Sequence, residues 1–555
     1  MPETPIAEDV LEVDEIQGNS LAGFRKDFQR FLFFAMDRSD DGAAAMRAWL
    51  RTIAPSVSTL AQVHGFNQRF RAARRRQGRD PVNLSATWLN IAFSADALRR
   101  LTSDDEVEQF TDSAFKNGLA RTSPLLNDPV DDQGRPIDWK VGGIGNESDV
   151  LVIAASDDRT QLEDRVEAVH ATIRDVARTH DIAPLILIFD QVGAVLPAPL
   201  RGHEHFGFKD GISQPGVRGL VRANPRELLT QRLFDSSVRQ DDPILPEFSR
   251  PGQPLVWPGQ FVFGYRRQST RDARNPLVPP PGLRPEAPAW GRNGSYVVVR
   301  RLRQDVKAFR EFIDRETARL QTIFPGITPT ELATKLVGRW PSGAPLMRTA
   351  VEDTNLAADG NADNFFQYAH DSPQPMPLAP NLNLPADAFP LSLADLDGRR
   401  CPVSAHVRKV NTRDGLTEQG SRVDMLTRLV LRRGIPFGEA YDRSDPATRD
   451  SPDHDRGLIF VSYQTSIESQ FVFLQRNWAN DAVNPNNEDL GEPGGHDPLI
   501  GQRSDNGRAR TFALRTEAGV REVLLLDRQW VTPTGGGFFF SPSISTIANI
   551  LGRAE

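Results

Sequence analysis

A chain of 555 residues is too long for one small core, and a single cysteine, Cys401, excludes an intrachain disulfide or a cysteine-based metal cluster. With 39% hydrophobic and 25% charged residues the composition is that of an ordinary globular protein, and a net charge of −7 gives no electrostatic reason to expect nucleic acid or an anionic membrane as partner. The opening MPETPIAEDVLEVDEIQG is acidic and lacks the basic segment and apolar run of a secretory signal, and the longest apolar runs are strand-sized. The expected location is therefore the cytoplasm, with no membrane span.

In chain order, residues 1–18 read as a polar tail. QRFLFFAMD and DVLVIAAS (Asp149 to Ser156) read as buried strands. Leu162, Val166, Val169, Ile173 and Val176 then recur at spacings of four and three, which places them on one face of a helix. PLILIFD (Pro184 to Asp190) reads as another buried strand. Strand, helix, strand in this rhythm predicts a sheet with helices on one face. The second half repeats the rhythm with SYVVVRRL as a strand and Asp305 to Leu320 as a helix. VDMLTRLVLRRG, RGLIFVSYQ and SQFVFLQRNW are apolar segments of strand or helix size. Two proline-rich stretches, 275–290 and 371–390, read as insertions, because proline suits neither a helix interior nor a central strand.

Three segments carry candidate chemistry. HFGFKDGISQP, from His205 to Pro215, sets Asp210 among aromatic residues and glycines that let a backbone approach something flat or bulky; an ordinary turn capped by Asp210 is the plain alternative. RRCPVSAHVRKVNTRDG, from Arg399 to Gly415, holds His406 followed by Arg408, Lys409 and Arg413. The histidine is either a ligand or a satisfied core group, and the cations either meet a di-anion or form a solvated face. LVLRRGIPFG, from Leu429 to Gly438, ends an apolar segment with two arginines, and a buried arginine requires an anion or a task.

Taken together, and in this order, the three segments resemble the dye-decolourising haem peroxidase family, in its longer fungal-like subgroup. EIQGNSLAGFRKDFQRFLF, GLIFVSYQTSIESQFVFLQRNW, GGHDPLIGQ and VTPTGGGFFFSPS extend the resemblance from about Glu15 to about Ser543. It implies an α+β fold of two ferredoxin-like lobes, antiparallel sheets with peripheral helices. The lobes span 19–225, ending in the GFKDG segment, and 226–555, with haem in the second. It implies one haem b per chain and oxidation of phenolic or dye-like aromatic substrates by hydrogen peroxide in one-electron steps. A protein that stores haem or removes its iron is the alternative.

Residue by residue, the resemblance makes His406 the iron ligand and Asp497 the carboxylate on its other ring nitrogen, with Glu468 and Glu492 as rival acids. Asp210 becomes the acid–base that moves a proton on peroxide, and Arg432 the fixed charge beside it, with Arg433 as rival. Gly211, Ile212 and Ser213 are expected against the haem, Leu458 and Phe460 at its approach, and Arg408 and Arg413 on its propionates. Trp478 is expected to pass electrons from bulky substrates at the surface. Phe437 departs from the family, which has tyrosine there, so no tyrosyl radical can form at that place.

Overall fold

The computed structural model describes residues 7–81, 84–224, 227–230, 248–250, 252–269, 281–349, 352, 363–371, 392–420, 423–445, 455–485, 492–502 and 509–554. Four strands come from the first half: β1 (Phe28–Met36), β2 (Thr87–Phe93), β3 (Val150–Ser156) and β4 (Leu185–Ala194). Five come from the second: β5 (Ser295–Gln304), β6 (Leu431–Arg432), β7 (Ile435–Phe437), β8 (Gly457–Gln464) and β9 (Val531–Ser541). They form one nine-stranded sheet in the order β7-β8-β5-β9-β2-β3-β1-β4, with β6 also on β8.

Each half of that order has the ferredoxin-like arrangement, with β1 and β3 side by side at the centre of the first half and β5 and β8 at the centre of the second, where the short β6 and β7 together hold the edge beside β8. All pairings within the sheet are antiparallel. The expected two lobes are therefore present, but their sheets are not separate. Phe540 of β9 pairs with Phe93 of β2 and joins the halves. The far ends also meet: a Cβ on Gly193 of β4 would lie 2.5 Å from Ile435 of β7.

Helices cover the sheet as the periodicity predicts. The helix α1 (Arg159–His180) is capped by Asp158, whose side chain accepts from the backbone N–H of Gln161, and it buries Leu162, Val166, Val169, Ile173 and Val176. In the second half α2 (Val306–Leu320) starts at the Asp305 cap and packs against α3 (Pro329–Val337).

Three expectations change. Residues 9–18 are not a loose tail, since Leu11 and Ile16 are buried and the Gln17 amide donates to the Ile91 and Pro542 carbonyls. The strand β4 is not buried throughout, because it ends the sheet order; Ile186 is 57% exposed and Val192 49%. The first proline-rich stretch finishes in the core, where the Trp290 ring lies edge-on to Phe110. Its residues 275–280 lie outside the described residues, as does all of the second stretch except Asp371. Among the described residues, no helix is long and apolar enough to cross a membrane.

Candidate active site

A cavity of about 900 Å³ opens on the face of the second half of the sheet. Alternation along the strands sends Leu458 and Phe460 of β8 and Arg300, Leu302 and Gln304 of β5 to this face. Cross-strand register aligns them, with Leu458 opposite Leu302 and Phe460 opposite Arg300, and Pro533 of β9 lies on the other side of Leu302. The segment Glu204 to Pro215 and the turn carrying His406 complete the walls.

His406 opens a single helical turn, His406–Lys409, and its ring faces the cavity. Its Nδ1 lies 2.8 Å from Asp497 Oδ2, so the ring N–H at that atom donates to the carboxylate and leaves Nε2 free. Asp497 is fully buried, and its Oδ1 accepts the backbone N–H groups of Leu499 and Ile500, both at 2.9 Å. Burial alone favours the uncharged form of each partner, but their attraction outweighs it. The pKa of His406 is held above, and that of Asp497 below, its ordinary value. The rival acids are engaged elsewhere: Glu468 accepts from the Ser113 hydroxyl, and Glu492 pairs with Arg521 at 3.0 Å.

Asp210 sits on the segment between Gly207 (φ +99°) and Gly211 (φ +74°). Both glycines hold a left-handed backbone that a side chain would strain, so the segment needs them for conformation. Arg432 Nη1 donates to Asp210 Oδ1 at 3.3 Å, and Nη2 donates to the Ser213 carbonyl at 2.8 Å. The Gln214 amide fixes the backbone of Arg432 from both sides. The neighbouring Arg433 points the other way and donates to the carbonyls of Asn19, Ser20 and Leu21. Strand alternation thus puts one arginine of the pair in the cavity and uses the other to pin the N-terminal segment.

Gly211, Ile212, Ser213, Arg413, Leu458 and Phe460 all line the same cavity. Arg408 does not. Two positions along a helix rotate a side chain by about 200°, so with His406 facing in, Arg408 faces out. It donates to the Cys401 carbonyl at 2.8 Å and stacks on Tyr368. Trp478 is also displaced from its expected place. It is fully buried on a π-helical stretch, Leu474–Ala479, and its indole N–H donates to Glu418. No bulky substrate can touch it at the surface.

The sequence reading missed two groups. Arg339 is buried beside Arg413. It donates to the Gly343 and Asp363 carbonyls, the Ser213 hydroxyl and the Asn364 amide oxygen, while Arg413 donates to the Asn364 carbonyl. Every one of these acceptors is neutral. Burial and the neighbouring Arg413 charge pull the Arg339 pKa down to about 10. Glu204 is the second. Its carboxylate accepts the backbone N–H groups of Phe206 and Phe208 and the Gln304 amide, and burial pushes its pKa up to about 7. A lone arginine in GRW and a glutamate flanked by histidines gave no sign of this in the sequence.

The chain resembles known proteins over nearly its whole length. Residues 15–182 match the model of the DyP dimeric alpha+beta barrel domain, and residues 389–492 that of the Dyp-type peroxidase C-terminal domain. A dye-decolorizing peroxidase of Mycetinis scorodonius is 28% identical over 98% of this chain and 88% of its own length. A solved ancestral D-type dye decolorizing peroxidase superposes with a TM-score of 0.74 at 31% identity, covering 98% of this chain and 100% of that one. The chain belongs to the dye-decolorizing peroxidase family. It is a haem-dependent peroxidase. A solved family member in complex with 2,6-dimethoxyphenol is 26% identical with a TM-score of 0.70, over 98% of this chain and 100% of that one.

The cavity suits the haem group that the family requires. Its volume lies near the top of the roughly 300–1,000 Å³ usual for cofactor sites. Its faces are largely apolar, it offers the His406 imidazole, held at Nδ1 by a fully buried carboxylate, and the buried guanidinium of Arg339 and the half-buried one of Arg413 call for anionic partners.

Proposed function

We propose that this dye-decolorizing peroxidase holds one haem b per chain in its second lobe, taken as 226–555 beside a first lobe of 19–225. His406 Nε2 ligates the iron, and Arg413 and Arg339 hold the propionates. Gly211, Ile212 and Ser213 lie along the haem, and Leu458 and Phe460 narrow the approach to hydrogen peroxide. Bound haem supplies an iron that accepts oxidising equivalents from peroxide and passes them on one electron at a time.

The chain's own residues manage protons and charge. The Asp210 carboxylate takes a proton from one peroxide oxygen and delivers it to the other, which then leaves as water. The Arg432 guanidinium orients the peroxide and stabilises the negative charge that develops on the departing oxygen. Asp497 holds the Nδ1 proton of His406 and raises the basicity of Nε2. The reductants are small phenolic or dye-like aromatics, and the protein acts in the cytoplasm.

The observation that carries this reading is the meeting of two acid-containing pairs, His406–Asp497 and Arg432–Asp210, on one cavity. Haem storage or iron removal requires no second pair. Stopped-flow absorbance of haem-loaded protein mixed with one equivalent of peroxide tests it, with Asp210→Asn and Arg432→Leu beside the wild type. A fast Soret change that slows in both variants is expected. Bound haem that does not respond to peroxide in the wild type sinks the reading in favour of haem handling.

A further inference from the structure

Lys409 closes the helical turn that His406 opens, and it is 1% exposed. Its ammonium donates to the Gly495 carbonyl at 2.7 Å and to the Asn484 carbonyl. Neither acceptor is charged. A buried cation bonded only to carbonyls forfeits hydration that a methionine in its place would not, so simple packing does not account for it. Burial pulls its pKa down to about 7, against the opposing influence of Asp481 and Asp497, and His496 is the other titratable group that feels its charge.

The partner of this ammonium is informative. Gly495 lies two residues before Asp497, and the Ser404 hydroxyl, two residues before His406, donates to the same Gly495 carbonyl at 2.7 Å. The turn that carries His406 therefore grips the loop that carries Asp497 from both of its ends. The loop is confined on its other side as well. Gly495 holds φ +107°, and a Cβ there would meet the Thr511 carbonyl at 2.3 Å. The Asp497 N–H donates to the Ala479 carbonyl at 2.9 Å.

We propose that Lys409 is a positioning residue for the His406–Asp497 pair, tying the Asp497 loop to the His406 turn and thereby setting the strength of the hydrogen bond at His406 Nδ1. The proposal rests on the reading of His406 as the iron ligand. Through that bond Lys409 tunes how strongly Nε2 donates to iron, although it touches neither the iron nor a substrate.

The test is the iron–histidine stretching frequency of the ferrous holoprotein, read by resonance Raman in the wild type, Asp497→Asn, Lys409→Met and the double variant. Asp497→Asn shifts the band to lower wavenumber. Lys409→Met shifts it in the same direction by less, and in the Asp497→Asn background it shifts nothing further. Ser404→Ala removes the milder half of the grip and gives a smaller shift, also abolished by Asp497→Asn, which keeps the question open to decision should Lys409→Met fail to fold. A wild-type band in both Lys409→Met and Ser404→Ala, or shifts that add to that of Asp497→Asn, overturns the proposal. The absence of any iron–histidine band in the wild type overturns the ligand reading, and the proposal with it.

Discussion

The two pairs on the cavity are built differently. In the His406–Asp497 pair the carboxylate is fully buried and each of its oxygens is committed, Oδ2 to the ring and Oδ1 to two backbone N–H groups, while the ring is 23% exposed on the cavity. The Asp210–Arg432 pair is open. Its side chains are 37% and 30% exposed, and one 3.3 Å contact links them. A group that must keep one tautomer is locked by redundant bonds, whereas a group that must collect and return a proton keeps free lone pairs and access to the substrate. The two sides therefore differ in what substitution will cost.

That contrast can be broken first at the open pair. Asp210→Asn keeps the shape and removes the base, and the bimolecular reaction with peroxide is expected to slow by about 10²–10⁴-fold. Asp497→Asn acts only through His406, with an expected loss of about 10–100-fold. Stopped-flow rates with peroxide compare the two. A larger loss in Asp497→Asn would reverse the assignment of roles.

The arginines sharpen it next. Arg413→Leu is expected to speed haem loss to an apomyoglobin-type scavenger by at least several-fold. Arg408→Leu is expected to leave haem retention near the wild-type rate while lowering the melting temperature, because its bonds go to the Cys401 and Leu396 carbonyls. Equal haem retention in the two variants would contradict the separation of their faces.

Stability against pH gives smaller effects. Glu204 binds its proton more tightly folded than unfolded, so between pH 4.5 and about 7 the folded chain holds more protons and stability falls as pH rises. The span of the shift sets an upper bound of about 3 kcal/mol. Denaturant unfolding of cofactor-free Glu204→Gln should lose this slope, and an unchanged slope would remove Glu204 as its source. The His406–Asp497 pair has two limits. The depressed Asp497 contributes above its unfolded value and is lost as pH falls through its folded one. The raised His406 contributes below its unfolded value and is lost as pH rises through its folded one. The stability gap between wild type and Asp497→Asn, without cofactor, should therefore be widest in the window between them and narrow on both sides.

Much of this was legible in the sequence, in proportion to how local each feature is. The helix at Arg159–His180 follows from a period that five residues state outright. The segments around Asp210, His406 and Arg432 carry their own turns and glycines. Features decided by distant chain were less legible. The exposure of β4 depends on its place at the end of a sheet assembled from both halves. Arg408 was misplaced because proximity to His406 in sequence hid the helical rotation between them. Trp478 was misplaced because nothing in QRNW reveals which elements close over it. Arg339 was overlooked because the cavity that gives it a purpose forms only when residues 338–345, 363–366 and 406–413 converge.

The central claim is that haem sits in this cavity with His406 on its iron and the Asp210–Arg432 pair facing the substrate side. A crystal structure of the haem-loaded protein tests it most directly. The account predicts iron bonded to His406 Nε2, Asp210 and Arg432 over the opposite haem face, and Arg413 and Arg339 at the propionates. Haem bound through another residue, or with Asp210 and Arg432 on the same face as His406, would contradict it.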